Sequence, residues 1–134
     1  GFAKTQEAYE EYIYPMFDTL DFLEDRLSKQ RYLAADHLTE ADWRLFVTMI
    51  RFDFVYFSHF KCNIRRLIDY PALWNYTRDL YQYPGVADTV HMDHIKGHYY
   101  RSHLNINPTA IVPAGPVLDF TAPHGREALG RDAA

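Results

Sequence analysis

The sequence predicts an all-α bundle of five to six helices with an extended C-terminal tail. First, Tyr9, Ile13, Met16, Leu20, Leu23 and Leu27 recur at spacings of 4, 3, 4, 3 and 4, which is one face of a helix. Second, Thr39-Glu40-Ala41-Asp42 is a capping box that opens a long apolar stripe. Third, Pro108, Pro113, Pro116 and Pro123, with Gly115 and Gly125, forbid a long helix after Asn105. Residues 1–104 therefore read as the bundle and 105–134 as the tail.

The first helix keeps Glu10, Glu11, Asp18, Asp21 and Asp25 mostly off its apolar face. Pro15 interrupts it, but the periodicity runs through, so a kink is expected and not an end. Ser28 to Leu38 is a connector. In the box that follows, the Thr39 hydroxyl is expected to accept the N–H of Asp42, and the Asp42 carboxylate to accept that of Thr39. Leu38 and Trp43 are placed for a hydrophobic staple. Trp43, Phe46, Val47, Ile50, Phe54 and Phe57 then form one stripe of a central, buried helix. A turn at Phe60–Asn63 precedes a short helix through Arg65, Arg66 and Ile68. Pro71 suits a first helical position, and Leu73, Tyr76 and Leu80 face inward until Pro84-Gly85 stops the helix. Gly85–Val90 adds a turn, and a last helix runs from Met92 to His103 with Met92, Ile95 and Tyr99 inward. In the tail, Ile106, Ile111, Val112, Val117, Leu118 and Phe120 indicate a segment laid on the body, with disorder expected in its last residues.

With 134 residues, 48% hydrophobic and 24% charged, the chain has the apolar content of one folded domain, which excludes a disordered class. One cysteine excludes a disulfide scaffold and fits a reducing compartment, so cytoplasmic localisation is expected. No run of about 18 apolar residues occurs, and no signal peptide is evident, so no membrane partner is expected. A net charge of −4 argues against a nucleic-acid partner. The chain opens on Gly1-Phe2-Ala3 without an initiator Met and reads as the interior of a longer protein. Its unusual feature is 16% aromatic content, with 11 Tyr and 9 Phe.

Several constellations bear on chemistry. Cys62, beside His59 and Lys61, has neighbours that can activate a thiol, but with no second cysteine a buried packing role is expected. His91, His94 and His98 share a helical face with spacing suited to a metal. No acidic companion lies between them, and Lys96 repels a cation, so no metal is expected. Arg44, Arg51, Lys61, Arg65 and Arg66 form a basic group expected to pair with Asp42, Asp53 and Asp69. Tyr56, Tyr81, Tyr83, Tyr99 and Tyr100 are too many polar-tipped rings for a core alone. They fit either a pocket for a planar, oxygen-bearing ligand or helix and subunit contacts.

The stretch Tyr32–Trp43 resembles the glutathione transferase C-terminal domain, with a connector, a capping box and a central helix. Phe46–Tyr70, containing Arg51-Phe52-Asp53, Tyr56 and His59-Phe60-Lys61-Cys62-Asn63, is more specific. So are Tyr76–Gln82, Asp93–Tyr100 and Ile106-Asn107-Pro108-Thr109. Together they look like the Xi-class glutathione transferases, the glutathionyl-hydroquinone reductases. The resemblance implies the C-terminal, substrate-binding helical domain of an enzyme that reduces glutathionyl-hydroquinones to hydroquinones with glutathione. In that family an N-terminal thioredoxin-like domain, absent from this sequence, carries the nucleophilic cysteine and most of the glutathione site. Cys62 does not match that nucleophile, so no catalytic residue is expected in this chain, and the chain alone is expected to be inactive. The family's His-Tyr-aromatic motif falls on His98, Tyr99 and Tyr100. With Tyr56 these are the expected substrate-binding residues, and Tyr99 is expected to bond a phenolic oxygen and help protonate the leaving ring carbon. Homodimerisation through helical domains is also implied. The alternative from another class is a non-catalytic dimerisation or interaction module of the same fold.

Overall fold

The computed structural model describes residues 1–130. The element order is α1 (Gln6–Lys29), α2 (Glu40–Arg51), α3 (Pro71–Tyr81) and α4 (Met92–Ser102). A π-helical turn at Phe52–Tyr56 and 3-10 turns at Leu67–Asp69, Ala87–Thr89 and Glu127–Gly130 complete it. The described residues thus hold four α-helices, fewer than the five to six expected, and no strand. The missing helices are the segments around Arg65–Ile68 and Gly85–Val90, which close as single 3-10 turns. The expectation of disorder at the end of the tail falls on residues 131–134 and lies outside the described residues. No helix among the described residues is long and apolar enough to cross a membrane.

α1 starts at Thr5, whose hydroxyl accepts the Ala8 N–H at 3.2 Å. Pro15 sits inside it on the exposed side, and the helix runs on through it to Lys29. Ile13, Phe17, Leu20 and Leu27 are buried, and this face packs on α3. Glu24 reaches across to α3, accepting the N–H groups of Ala72 and Leu73, each at 2.8 Å. Pro71 at the first helical position has no N–H to satisfy, so one side chain of α1 caps the start of α3.

The centre of the fold is Asp42, fully buried at the third position of α2. Its carboxylate accepts the Thr39 N–H at 2.8 Å, the Thr39 hydroxyl at 2.9 Å, the Leu33 N–H at 2.7 Å and the Tyr76 hydroxyl at 3.0 Å. The capping box is present. The Thr39 hydroxyl donates to the carboxylate, while the Asp42 N–H reaches the Thr39 carbonyl at 3.2 Å. Leu38 and Trp43 are both partly buried against the core.

Two expectations for α2 need correction. Val47 is 50% exposed, whereas Met49 is 3% exposed. The buried arc is centred on Asp42, Phe46 and Met49, because a carboxylate occupies part of it, and this rotates Val47 to the rim. The helix also does not continue in α register through Phe57: the Phe57 N–H bonds the Phe52 carbonyl at 2.9 Å. The wider turn lets Phe52, Asp53, Phe54 and Val55 all be buried in succession. Phe57 is left only partly buried.

The tail is strapped down at several points. Phe120 is buried against Phe54, Trp74 and Tyr81, with ring centroids 6.1, 5.1 and 5.1 Å away. Gln82 donates to the carbonyls of Phe120 and Ala122 at 2.8 and 2.9 Å. Ile111 and Val117 were expected on the body but are 67% and 96% exposed, since an extended chain can present only part of its side chains inward. Arg126 is 3% exposed and donates to the carbonyls of Leu27, Gln30 and Arg31 at 2.9, 2.8 and 2.8 Å. It thereby caps the C-terminal end of α1 from a distant part of the chain. Burial lowers its pKa, and Asp79 opposes that shift. Asp79 itself holds Arg31 in a two-point bond at 2.9 and 2.8 Å.

The magnitudes separate these contacts. Thr39→Ala removes one donor to Asp42 and is expected to cost about 1 kcal/mol. Asp42→Ala leaves several donors buried without an acceptor and is expected to cost about 3–5 kcal/mol. Arg126→Met is expected to cost about 2–4 kcal/mol, because helix-end carbonyls lose their partner. Arg44→Ala, which breaks an exposed pair with Glu40, should change stability by under about 1 kcal/mol. Denaturant unfolding midpoints of the four variants check this ranking, and an Arg126→Met midpoint equal to wild type refutes the capping role.

Candidate functional site

The π-turn, the turn after it and the end of α4 bring one group of rings together. Tyr56 stacks on Phe60 at 5.6 Å and meets Tyr99 edge-on at 6.2 Å. Phe60 and Tyr99 are also edge-on, at 5.8 Å. His98 lies against Tyr99 at 5.1 Å. The wall continues through Phe2, which is 5.3 Å from both Phe60 and His103. Burial and the neighbouring Tyr99 hydroxyl push the Tyr56 phenol up to about 12, so it stays protonated as a donor at neutral pH. On the other side of Phe2 and Phe60, an apolar cavity of about 280 Å³ is lined also by Tyr9, Tyr12, Ile13, Met16 and Cys62.

The backbone explains why these rings converge. The π-turn advances the register so that Tyr56 and His59 face α4. Lys61 then adopts φ 57, turning the chain back, and the Tyr9 hydroxyl locks that turn by donating to the Lys61 carbonyl at 2.6 Å. Such a φ is uncommon for a residue with a side chain.

Of the four expected substrate-binding residues, Tyr56, His98 and Tyr99 lie in this wall with partly or fully exposed side chains. Tyr100 is 4% exposed, and its hydroxyl donates to the Phe54 carbonyl at 2.9 Å and contacts the Ser58 hydroxyl. It joins α4 to the π-turn beneath the wall. Tyr81 packs on the tail and Tyr83 on Trp43, at 5.1 and 5.7 Å, away from this group.

The other constellations resolve into packing and pairing. Cys62 is buried, with its thiol pKa raised by burial, which disfavours the thiolate. His91 and His94 lie 5.3 Å apart. No group of three or more metal-ligating side chains occurs among the described residues. The basic residues pair differently from expectation in part. Arg66 does meet Asp69 at 2.8 Å, but Arg65 pairs with Asp21 and Arg44 with Glu40, at 2.8 and 2.7 Å. Asp53 and Asp42 are instead occupied by backbone donors, those of Leu67 and Ile68 for Asp53 and those of Leu33 and Thr39 for Asp42. Burial raises the Asp53 pKa, against the pull of those N–H groups.

His59 was read from sequence only as a neighbour of Cys62, and His103 was not singled out. His59 is 4% exposed, and its Nε2 lies 3.2 Å from Nδ1 of His103. The rings stack at 5.4 Å, and His103 also meets Tyr99 edge-on at 5.5 Å. Their sequence separation of 44 residues hides the pairing from any local pattern.

Residues 6–79 match the family model described as glutathione S-transferase, C-terminal domain. The glutathionyl-hydroquinone reductase YqjG of Escherichia coli (strain K12) is 52% identical over 127 residues, covering 95% of this chain and 39% of that protein. The glutathionyl-hydroquinone reductase PcpF of Sphingobium chlorophenolicum is 56% identical over 116 residues, covering 87% of this chain and 37% of that protein. The solved structure of a Xi class GST from Natrialba magadii superposes with a TM-score of 0.94 at 52% identity, over 96% of this chain and 40% of that one. The chain thus spans about two fifths of the length of these relatives. With its all-α architecture and capped central helix, this chain belongs to the glutathione S-transferase C-terminal domain family.

Proposed function

We propose that this chain is the substrate-binding helical part of a glutathione transferase that reduces glutathionyl-hydroquinones to hydroquinones. Residues 1–104 form the substrate wall in this reading, and residues 105–130 of the tail strap it in place. The observation that carries it is the Tyr56–Phe60–Tyr99 group, rings with hydroxyl tips on one surface, in a chain 52% identical to a glutathionyl-hydroquinone reductase. Rings provide a flat apolar face for a quinol, and phenols provide bonds to its oxygens.

The wall has Lys61 as a nearby cation and is itself built of aromatic rings, imidazoles and hydroxyls. That suits an aromatic substrate better than a tripeptide carrying carboxylates. Glutathione is therefore assigned mainly to residues outside this chain, as is the nucleophilic cysteine, and the chain alone is inactive. Tyr56 and Tyr99 face the hydroquinone, His98 packs behind Tyr99, and Tyr100 holds α4 in register with the π-turn. Homodimerisation belongs to the same reading, with Tyr12, Tyr14 and Phe22, all at least 57% exposed on α1, as candidate contact residues. A cytoplasmic location is proposed with it.

In the full-length protein, Tyr99→Phe is expected to lower kcat/KM for a glutathionyl-hydroquinone by roughly tenfold or more, the loss of one positioned hydrogen bond or proton donor. Steady-state kinetics with the isolated conjugate checks this. Unchanged kinetics removes Tyr99 from the site. A full-length protein without such activity favours the non-catalytic module.

A further inference from the structure

The His59–His103 contact constrains where a proton can sit. Two imidazole nitrogens 3.2 Å apart need one donor and one acceptor between them. Protons on both facing nitrogens would set two N–H groups against each other, so one ring carries the shared proton and the other accepts it. Burial decides which ring carries it. His59 is 4% exposed, while His103 is only partly buried. Desolvation lowers the His59 pKa first, with His103 and Lys61 adding to it. With the buried His59 ring as acceptor, His103 donates Nδ1–H and its Nε2 is left toward the wall. The ionisable groups around the pair are Lys61 from the turn and His98, Tyr99 and Tyr100 from α4. The N-terminal segment contributes the uncharged ring of Phe2. No carboxylate makes a hydrogen bond or ion pair with either ring among the described residues.

We propose that His103, whose Nδ1 is engaged by His59, is a further substrate-contacting residue of the wall and, in its imidazolium form, the acid that serves the departing hydroquinone. This inference rests on the reading of the wall as a hydroquinone site. His103 is on the same surface as Tyr99, and its Nε2 makes no hydrogen bond with any described residue. The step balances as follows. A cysteine thiolate outside this chain attacks the thioether sulfur; the S–S bond forms and the carbon–sulfur bond breaks. The electron pair stays on the ring carbon, which takes the Nε2 proton of His103. His103 becomes neutral and keeps Nδ1–H bonded to His59, and solvent restores the lost proton. A glutathione thiolate then releases the cysteine thiolate from the mixed disulfide as oxidised glutathione.

The test is the pH dependence of kcat/KM in the full-length protein with a glutathionyl-hydroquinone, alongside imidazole NMR titration of the same protein. Wild type is expected to lose activity as pH rises through the titration of the pair. His103→Phe and His103→Gln should remove that limb and lower kcat/KM by roughly a hundredfold at its low-pH plateau. His59→Gln retains an acceptor for Nδ1–H, so it should keep the limb but move its midpoint. By NMR the two rings should take up one proton between them. Two independent titrations overturn the inference. So does an active wild type whose His103 variants keep the same limb, even if their rates fall uniformly, since that marks a structural role. An inactive wild type overturns the functional reading itself, and this inference with it.

Discussion

One buried carboxylate organises this fold. Asp42 lies inside the protein yet has hydrogen-bond donors from three separate segments: Leu33 of the connector, Thr39 at the start of α2, and Tyr76 of α3. An isolated carboxylate in this position would be strongly unfavourable, and its burial is tolerable only because those donors all converge on it. The requirement runs both ways. Leu33 and Thr39 must hold their backbone geometry, and α3 must sit where the Tyr76 hydroxyl reaches α2. Burial and the nearby Asp42 carboxylate drive the Tyr76 phenol upward from its ordinary value, so it remains a donor. Packing of α2 on α3 is thereby specified by a polar contact as well as by Leu73, Leu80 and Phe46.

The same device recurs in pieces. Glu24 of α1 caps α3, Asp53 of the π-turn caps the 3-10 turn at Leu67–Asp69, and Arg126 of the tail caps α1. Each of these three ends is completed by a side chain from another element, so they cannot be satisfied unless the elements are correctly assembled. Surface pairs such as Arg44 with Glu40 lie within one helix and carry no such information. The interlocking caps explain how a small bundle with four helices holds a proline-bearing tail on its surface.

Legibility of the sequence follows the range of the interaction. The helical face of α1, the Thr39–Asp42 box and Pro71 at the start of α3 are local patterns, and each is present. The orientation of Val47 was not legible, because it depends on counting Asp42 as an inward residue when its composition marks it only as a cap. The π-turn has no local signature, since it exists to bury Phe52 through Val55 against three different neighbours. Of the wall, Tyr56, His98 and Tyr99 could be named from motif and composition, but Tyr100 could not be separated from Tyr99. Adjacent positions on α4 differ by about 100° in direction, and only the packed partner decides which one is buried. Arg126 and His103 were invisible because their partners lie 99 and 44 residues away.

The π-turn also links architecture to chemistry. Had α2 continued in α register, positions 56 and 59 would have rotated away from the face they share with α4, and His59 would not meet His103. The widened turn therefore does two things at once: it places Tyr56 edge-on to Tyr99, and it buries an imidazole directly behind a second, more accessible one. A buried histidine with only a carbonyl or hydroxyl partner would be a packing residue. A buried histidine facing another histidine nitrogen makes one ring the donor and the other the acceptor, because the two cannot both donate. Both rings lie edge-on to Tyr99, so the backbone distortion that brings the rings together also places this polar contact beneath the wall.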